Sequence, residues 1–230
     1  MRYARWLLSS LLATLALVAV AAAPAQATTI TSFGNITPNQ FVSTDNGNGT
    51  TTLSVSADVN ITQIFLGPLD PDALLIFTAT SVGDATTFGP ITTQNFVGSF
   101  TLTNQAQTFD YLSGSFGGAL QLGSIGGTNS LFTSNNAGLA PLTLSSDLAA
   151  LTSPESFSLS LANLSPAFGV NTYLVGGVSH STIASFNASF TGDADATLAP
   201  SAVPEPGSLM LLGTGLVGFA GAARRRLFRA

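Results

Sequence analysis

Lysine and cysteine are absent from this chain of 230 residues, and its arginines sit only at the two ends: Arg2, Arg5, Arg224, Arg225, Arg226 and Arg229. Without cysteine there is no disulfide framework, no thiol nucleophile and no cysteine-ligated zinc or iron–sulfur site. Between Trp6 and Ala223 no basic side chain other than His180 occurs, while ten acids lie between Thr28 and Ala202. That body can form no internal Lys or Arg salt bridge, so its fold must rest on burial and hydrogen bonds. It also excludes nucleic acid as a partner, because binding phosphates needs Lys or Arg to displace counterions. With His180 as the only histidine, a two-histidine metal site cannot be built within one chain. The body has no tryptophan and only Tyr111 and Tyr173, which leaves sugar-cleaving chemistry without its usual aromatic platforms.

What remains is apolar and uncharged-polar. Hydrophobic residues make up 45% and charged residues 7%, against ~25% charged in a typical soluble domain. Ser, Thr and Asn fill the polar share. Once the ends are set aside, the length suits one domain able to bury a full core.

Residues 1–27 have the three parts of a secretory signal: Arg2 and Arg5, an apolar run from Trp6 through Ala23, and Ala25-Gln26-Ala27 as a small-x-small cleavage triplet. The alternative, an uncleaved membrane helix, is disfavoured by the Ala-rich end, by Pro24 and by the triplet. Cleavage after Ala27 makes Thr28 the first mature residue.

The body, residues 28–202, carries a period-two pattern. Leu53, Val55, Ala57, Val59 and Ile61 alternate with polar residues, as do Phe96 to Leu102, Phe157 to Leu161 and Ala184 to Phe190. Asp45-Asn46-Gly47-Asn48-Gly49 predicts a hairpin turn between Phe41 to Ser43 and Thr51 onward. Shorter strands are expected at Leu74 to Thr80, Thr108 to Leu112, Ala119 to Leu122, Leu142 to Leu144 and Tyr173 to Val178. Turns are expected at Gly67-Pro68, Asp70-Pro71, Gly89-Pro90, Gly117-Gly118, Gly126-Gly127 and Asn135-Asn136. Residues 146–151 read as one or two helical turns capped by Ser145 or Ser146. The fold class is all-β, an antiparallel β-sandwich or jelly roll, with Phe supplying most of the large core side chains.

Four constellations are weighed for chemistry. Gly213-Thr214-Gly215-Leu216-Val217-Gly218 matches the dinucleotide fingerprint by letter, but it lies inside an apolar run and not at a strand-to-helix turn. Gly177-Val178-Ser179-His180-Ser181 falls one glycine short of a nucleophile elbow, although a triad with a more distant serine stays open. The pairs Asp70 with Asp72 and Asp193 with Asp195 have the spacing of paired carboxylates, with solvated acids as the plainer reading. Asp45, Asn46 and Asn48, or Asp193 and Asp195, offer oxygen ligands for a weak structural calcium ion, although Gly47 breaks the strict EF-hand pattern. Otherwise no cofactor is expected. Asn48, Asn60, Asn163 and Asn187 each open an Asn-x-Ser/Thr triplet compatible with glycan attachment.

Residues 203–230 are organised differently. Val203-Pro204-Glu205-Pro206 leads into the apolar run 207–223, followed by Arg224, Arg225, Arg226 and Arg229. The run measures ~25 Å as a helix, the short limit for crossing a bilayer. Its flanking arginines place the C-terminus in the cytoplasm and the acidic body outside. Thr214, Gly218 and Ala222 line a small-residue face suited to helix contact.

This tail resembles the PEP-CTERM sorting signal of Gram-negative bacteria, and the secretory start with a cysteine-free, Ser/Thr-rich body is similar in style to the proteins that carry it. The resemblance covers Val203 to Arg229. It implies export, transient membrane insertion, recognition by an exosortase-type membrane transpeptidase, and delivery to the cell surface or to extracellular polysaccharide. By the same resemblance Val203, Pro204, Glu205 and Pro206 form the recognition motif, and Arg224, Arg225, Arg226 and Arg229 the stop-transfer anchor. The expected function is therefore a non-enzymatic, exported surface or matrix protein. A carbohydrate-binding module, with or without calcium, is the alternative, and a secreted hydrolase the third reading.

Overall fold

The structure is a computed structural model that describes residues 27–64, 70, 72–135 and 141–199. The signal segment before Ala27, the sorting motif, the apolar run and the terminal arginines lie outside the described residues. So do the turn at Gly67-Pro68 and the residues Pro71 and Asn136. No helix occurs among the described residues, and none there is long and apolar enough to cross a membrane.

Among the described residues thirteen strands form: β1 (Thr28–Asn35), β2 (Phe41–Asp45), β3 (Thr51–Ile64), β4 (Ala73–Ser81), β5 (Thr86–Phe88), β6 (Ile91–Thr103), β7 (Asp110–Ser124), β8 (Asn129–Asn135), β9 (Leu142–Ser145), β10 (Leu151–Ser165), β11 (Val170–Val175), β12 (Val178–Ile183) and β13 (Phe186–Leu198). The long ones alternate as the composition predicts. In β3, Leu53, Val55, Ala57, Val59 and Ile61 are buried while Ser56, Asp58 and Asn60 are exposed.

The expected sandwich is corrected to a single closed sheet. The order β6-β4-β3-β1-β13-β10-β8-β7 returns to its start because β6 also pairs β7, through twelve residue pairs from Ile91↔Ser124 to Thr103↔Asp110. Full-length pairing at that seam leaves no edge at which two sheets separate, so an eight-stranded antiparallel barrel forms. Three positions of the ring are each filled by two short strands in line. β1 and β2 both lie between β3 and β13. β4 and β5 run along β6, and β8 and β9 along β7.

Phenylalanine fills the interior. Phe100 stacks on Phe157 with ring centroids 3.9 Å apart, and Phe77 meets Phe132 edge-on at 5.2 Å. These pairs join opposite walls of the ring, so the barrel has a packed core and no lumen. A bilayer-spanning barrel has the reverse pattern, apolar outside and polar within. Here the outward positions carry Ser, Thr, Asn and Asp.

Other local expectations change for identifiable reasons. Gly117-Gly118 is not a turn: two β7 residues stand opposite Val97 of β6, which makes a bulge and lets one strand run from residue 110 to 124. Residues 146–151 form no helix. The Ser146 hydroxyl instead accepts from the Leu148 N–H at 3.1 Å and donates to the Tyr111 carbonyl at 2.6 Å, holding a bend. The strand expected at Tyr173 to Val178 contains the reversal between β11 and β12, where Gly176 and Gly177 adopt φ of 60° and 86°. Both central residues have positive φ, which a two-residue hairpin loop favours.

The barrel has two unlike ends. At one lie the starts of β1, β4, β7 and β10 and the finish of β13; there Thr28 pairs with Ala196, so the start of β1 and the finish of β13 are neighbours. At the other end the β11–β12 hairpin closes over a buried polar layer. The Gln94 carboxamide oxygen accepts from the Ile183 N–H at 3.1 Å, its NH2 donates to the Gly83 carbonyl, and the Thr51 hydroxyl donates to the Ile183 carbonyl.

Candidate functional site

The hairpin end gathers most of the chemistry-bearing side chains singled out from the sequence. Asp45, at the finish of β2, accepts from the Tyr173 hydroxyl at 2.5 Å and the Asn171 amide at 2.6 Å, both on β11. Its other oxygen accepts from the Gly47 N–H at 3.0 Å. Partial burial opposes ionisation of Asp45, but these hydrogen bonds favour the anion and outweigh it, holding the carboxyl below 3.8. Chiefly because its hydroxyl is bound to that carboxylate, Tyr173 is pushed above 10.0.

The turn at 46–50 is therefore a closed set of hydrogen bonds. Asn48 Oδ1 accepts from both the N–H and the hydroxyl of Thr50, at 3.1 and 2.7 Å, and the Asn46 amide donates to Thr50 and Thr52 hydroxyls. The oxygens considered as calcium ligands are already serving as turn acceptors. Asp193 and Asp195 do point the same way from β13, as their spacing requires. Asp193 accepts from the Ser32 hydroxyl at 2.6 Å and Asp195 from the Ser156 hydroxyl at 2.8 Å, on strands to either side. Among the described residues no group of three or more His, Asp or Glu side chains is placed to hold a metal ion.

His180 lies on β12 with Nδ1 2.9 Å from Asp84 Oδ1, a pairing the sequence does not reveal between residues 96 positions apart. A His–Asp pair is two of the three members of a catalytic triad. Ser179 and Ser181 flank His180 on the same strand, so their side chains point to the opposite face and cannot serve as its nucleophile. Asp70 and Asp72 do not form a strand pair: Asp72 donates its N–H to Asp70 Oδ1 at 3.0 Å, closing a turn. Asp70 also accepts from the Tyr111 hydroxyl at 2.7 Å. Burial of that ring, with the neighbouring carboxylate, raises the Tyr111 hydroxyl to about 12.

A different feature emerges only once strand register is known. On the outer wall Ser54, Thr78, Ser99, Ser115 and Thr143 stand opposite one another across β3, β4, β6, β7 and β9. Alongside them, Thr101, Ser113 and Ser145 form a second row, and the two rows line a shallow open groove over β6, β7 and β9. Ser113 bonds Ser145 at 2.8 Å and Ser115 bonds Thr143 at 2.9 Å. No charged residue lines the groove. The apolar crevice at the other end, among Ile30, Ile64, Tyr111, Leu148 and Leu198, holds about 20 Å³, room for no more than a water molecule.

Compared with known proteins, the chain matches one family profile, the PEP-CTERM protein-sorting motif, over residues 202–226. No curated protein and no solved structure matches it. The matched stretch takes in Val203, Pro204, Glu205, Pro206 and Arg224 to Arg226, stops short of Arg229, and lies outside the described residues. Such a motif marks a protein for export and for membrane-associated sorting by an exosortase, a membrane enzyme. The chain is thus a PEP-CTERM sorting motif-containing protein whose exported body is a phenylalanine-filled β-barrel.

Proposed function

We propose that this protein is a non-enzymatic structural component of the cell surface or extracellular matrix, released or attached there after its C-terminal tail is processed. The sorting motif at 202–226 is the observation that carries the reading. The barrel supports it: the core is filled, the outer wall over β6, β7 and β9 is uncharged hydroxyl, and the His180–Asp84 pair has no serine beside it on the same strand face. The tail acts as substrate, with Pro204, Glu205 and Pro206 read by the transpeptidase, the run 207–223 crossing the membrane and the arginines stopping transfer. Ala25 and Ala27 define the earlier cut. The test is expression in the native host with and without residues 203–230, followed by fractionation and intact mass. The expected product lacks residues 1–27 and part or all of the tail, and is recovered from the surface or the surrounding matrix. Full-length protein held in the cytoplasm overturns the proposal.

A second reading is favoured by the hydroxyl rows over β6, β7 and β9: the barrel binds the matrix polysaccharide along that groove. Hydroxyls both donate and accept, matching a neutral hydroxylated chain, and the absence of charge there disfavours ionic ligands. Retention of the barrel on extracellular polysaccharide, reduced by Ser115→Val with Thr143→Val and unaffected by EDTA, is the expected result. Retention lost to EDTA instead assigns binding to a calcium-bearing loop.

A further inference from the structure

Charge and apolar exposure are segregated along the barrel axis. Of the ten acids, only Asp45 and Asp84 lie at the hairpin end, and both are engaged, by Tyr173 with Asn171 and by His180. The others lie toward the end where β13 finishes, as the registers of Asp58, Asp110, Asp193 and Asp195 show. Exposed large apolar side chains concentrate at the hairpin end: Phe88 is 90% exposed and Leu174 79%, with Val178, Ile125 and Ile91 also open. The outer edge of β11 pairs with no other strand among the described residues. Residues 170–183 contain no proline, no acid and no bulge, the devices by which exposed edges are ordinarily protected from pairing.

We propose that the hairpin end is a self-association surface on which a second copy of this chain docks, β11 edge against β11 edge, antiparallel across a twofold axis. Edge pairing satisfies backbone groups that water otherwise serves, and it brings Leu174 and Val175 of β11 beside the partner strand in both copies. Charge distribution selects this occupant. Docking through the hairpin ends keeps eight acids of each copy at the far ends of the pair, so like-charge repulsion is least in that arrangement. A basic protein would instead be drawn to the acidic end, and a polysaccharide to the hydroxyl rows on the wall. Since Leu198 lies at the acidic end, the two chains leave the pair from opposite extremities. Copies anchored by their tails would then join across facing surfaces; that consequence alone rests on the proposed sorting, whereas the association does not.

Residues 28–199 suit the test, because they contain every strand pairing and core side chain described. Sedimentation equilibrium is expected to show a dimer whose fraction rises between about 10 and 1,000 µM, the range of a small transient interface. Leu174→Asp with Val175→Asp, both on β11, is expected to raise the dissociation constant at least tenfold with the circular dichroism of the barrel unchanged. The cysteine-free chain permits a second measurement. Thr172→Cys, near the middle of β11, is expected to give a disulfide-linked dimer on mild oxidation, and Ser54→Cys on the barrel wall is not. A barrel that stays monomeric up to 1,000 µM, or a dimer indifferent to the double variant and cross-linked equally well through residue 54, overturns the proposal, whatever other partner the surface then captures.

Discussion

At Gly192 the barrel wall comes so close to its filling that a side chain has no place. A Cβ there would stand 2.3 Å from Phe33 Cζ and 2.8 Å from Leu159 Cδ2, both buried. Gly192→Ala is expected to cost about 1–3 kcal/mol in urea unfolding, the usual penalty of overpacking a filled core. Single residues at the acidic end have a pH signature. Tyr111, raised to about 12 by burial and by its bond to Asp70, has a folded-state value above its unfolded 10.0. Its stabilising contribution is therefore complete below pH 10 and fades as pH rises through about 12. Phenolate absorbance of residues 28–199 is expected to show Tyr111 and Tyr173 both titrating above the usual range, and Tyr111→Phe to remove the step near 12. A tyrosine ionising near 10 in the Tyr173→Phe variant would contradict the Tyr111–Asp70 bond.

Among elements, the β11–β12 hairpin depends most on a few contacts. Asp45 has a folded-state value below 3.8, so the stabilisation it gives the hairpin is present above that pH and lost as pH falls through the lowered value. Amide exchange in residues 170–183 is expected to quicken below about pH 4, ahead of the barrel strands, and to be fast at neutral pH in Asp45→Ala. Gly177, at φ 86°, makes the tight reversal; Gly177→Val is expected to destabilise the hairpin by about 1–2 kcal/mol, seen in the same exchange experiment. How much of this was legible in the sequence follows from the range of each interaction. The alternation in β3, β6 and β10 is local, so the sequence shows it directly. The loop at 46–50 is legible as a turn because Asn and Gly declare one. Breaks at residues 36–40 and 82–85 look like strand ends in sequence. Yet β1 and β2, and β4 and β5, stay in one slot, because their neighbours continue past the break. Gly117-Gly118 signals a turn and a bulge equally well, and only the seam with β6 decides between them. The His180–Asp84 and Tyr173–Asp45 bonds and the hydroxyl rows are invisible in the sequence because each joins residues that only the fold brings together. The tail was legible without a fold, because its motif is linear.

For the whole molecule, the governing fact is a body with ten acids and no Lys or Arg to balance them. Such a chain repels itself in the compact state, and the repulsion is strongest where Asp70, Asp72, Asp110 and Asp147 share one end of the barrel. Two of them meet directly: the Asp110 N–H donates to Asp147 at 2.8 Å, bringing the two carboxyl-bearing residues together. Added salt screens such exposed charges, with a Debye length shrinking from about 10 Å at 0.1 M to about 3 Å at 1 M. The thermal midpoint of the barrel is therefore expected to rise with ionic strength, and to rise equally in sodium and calcium chloride matched for ionic strength. Asp72→Asn is expected to raise the midpoint at low salt and to lose that advantage at 1 M, because it removes repulsion and not a contact. If millimolar calcium instead lifts the midpoint well above the sodium curve, and Asp45→Asn or Asp193→Asn abolishes the excess, a bound ion replaces screening as the explanation. The oxygens of Asp45, Asn48, Asp193 and Asp195 would then have to leave their present serine, tyrosine and backbone donors, and amide exchange at Gly47 and Thr50 would report it.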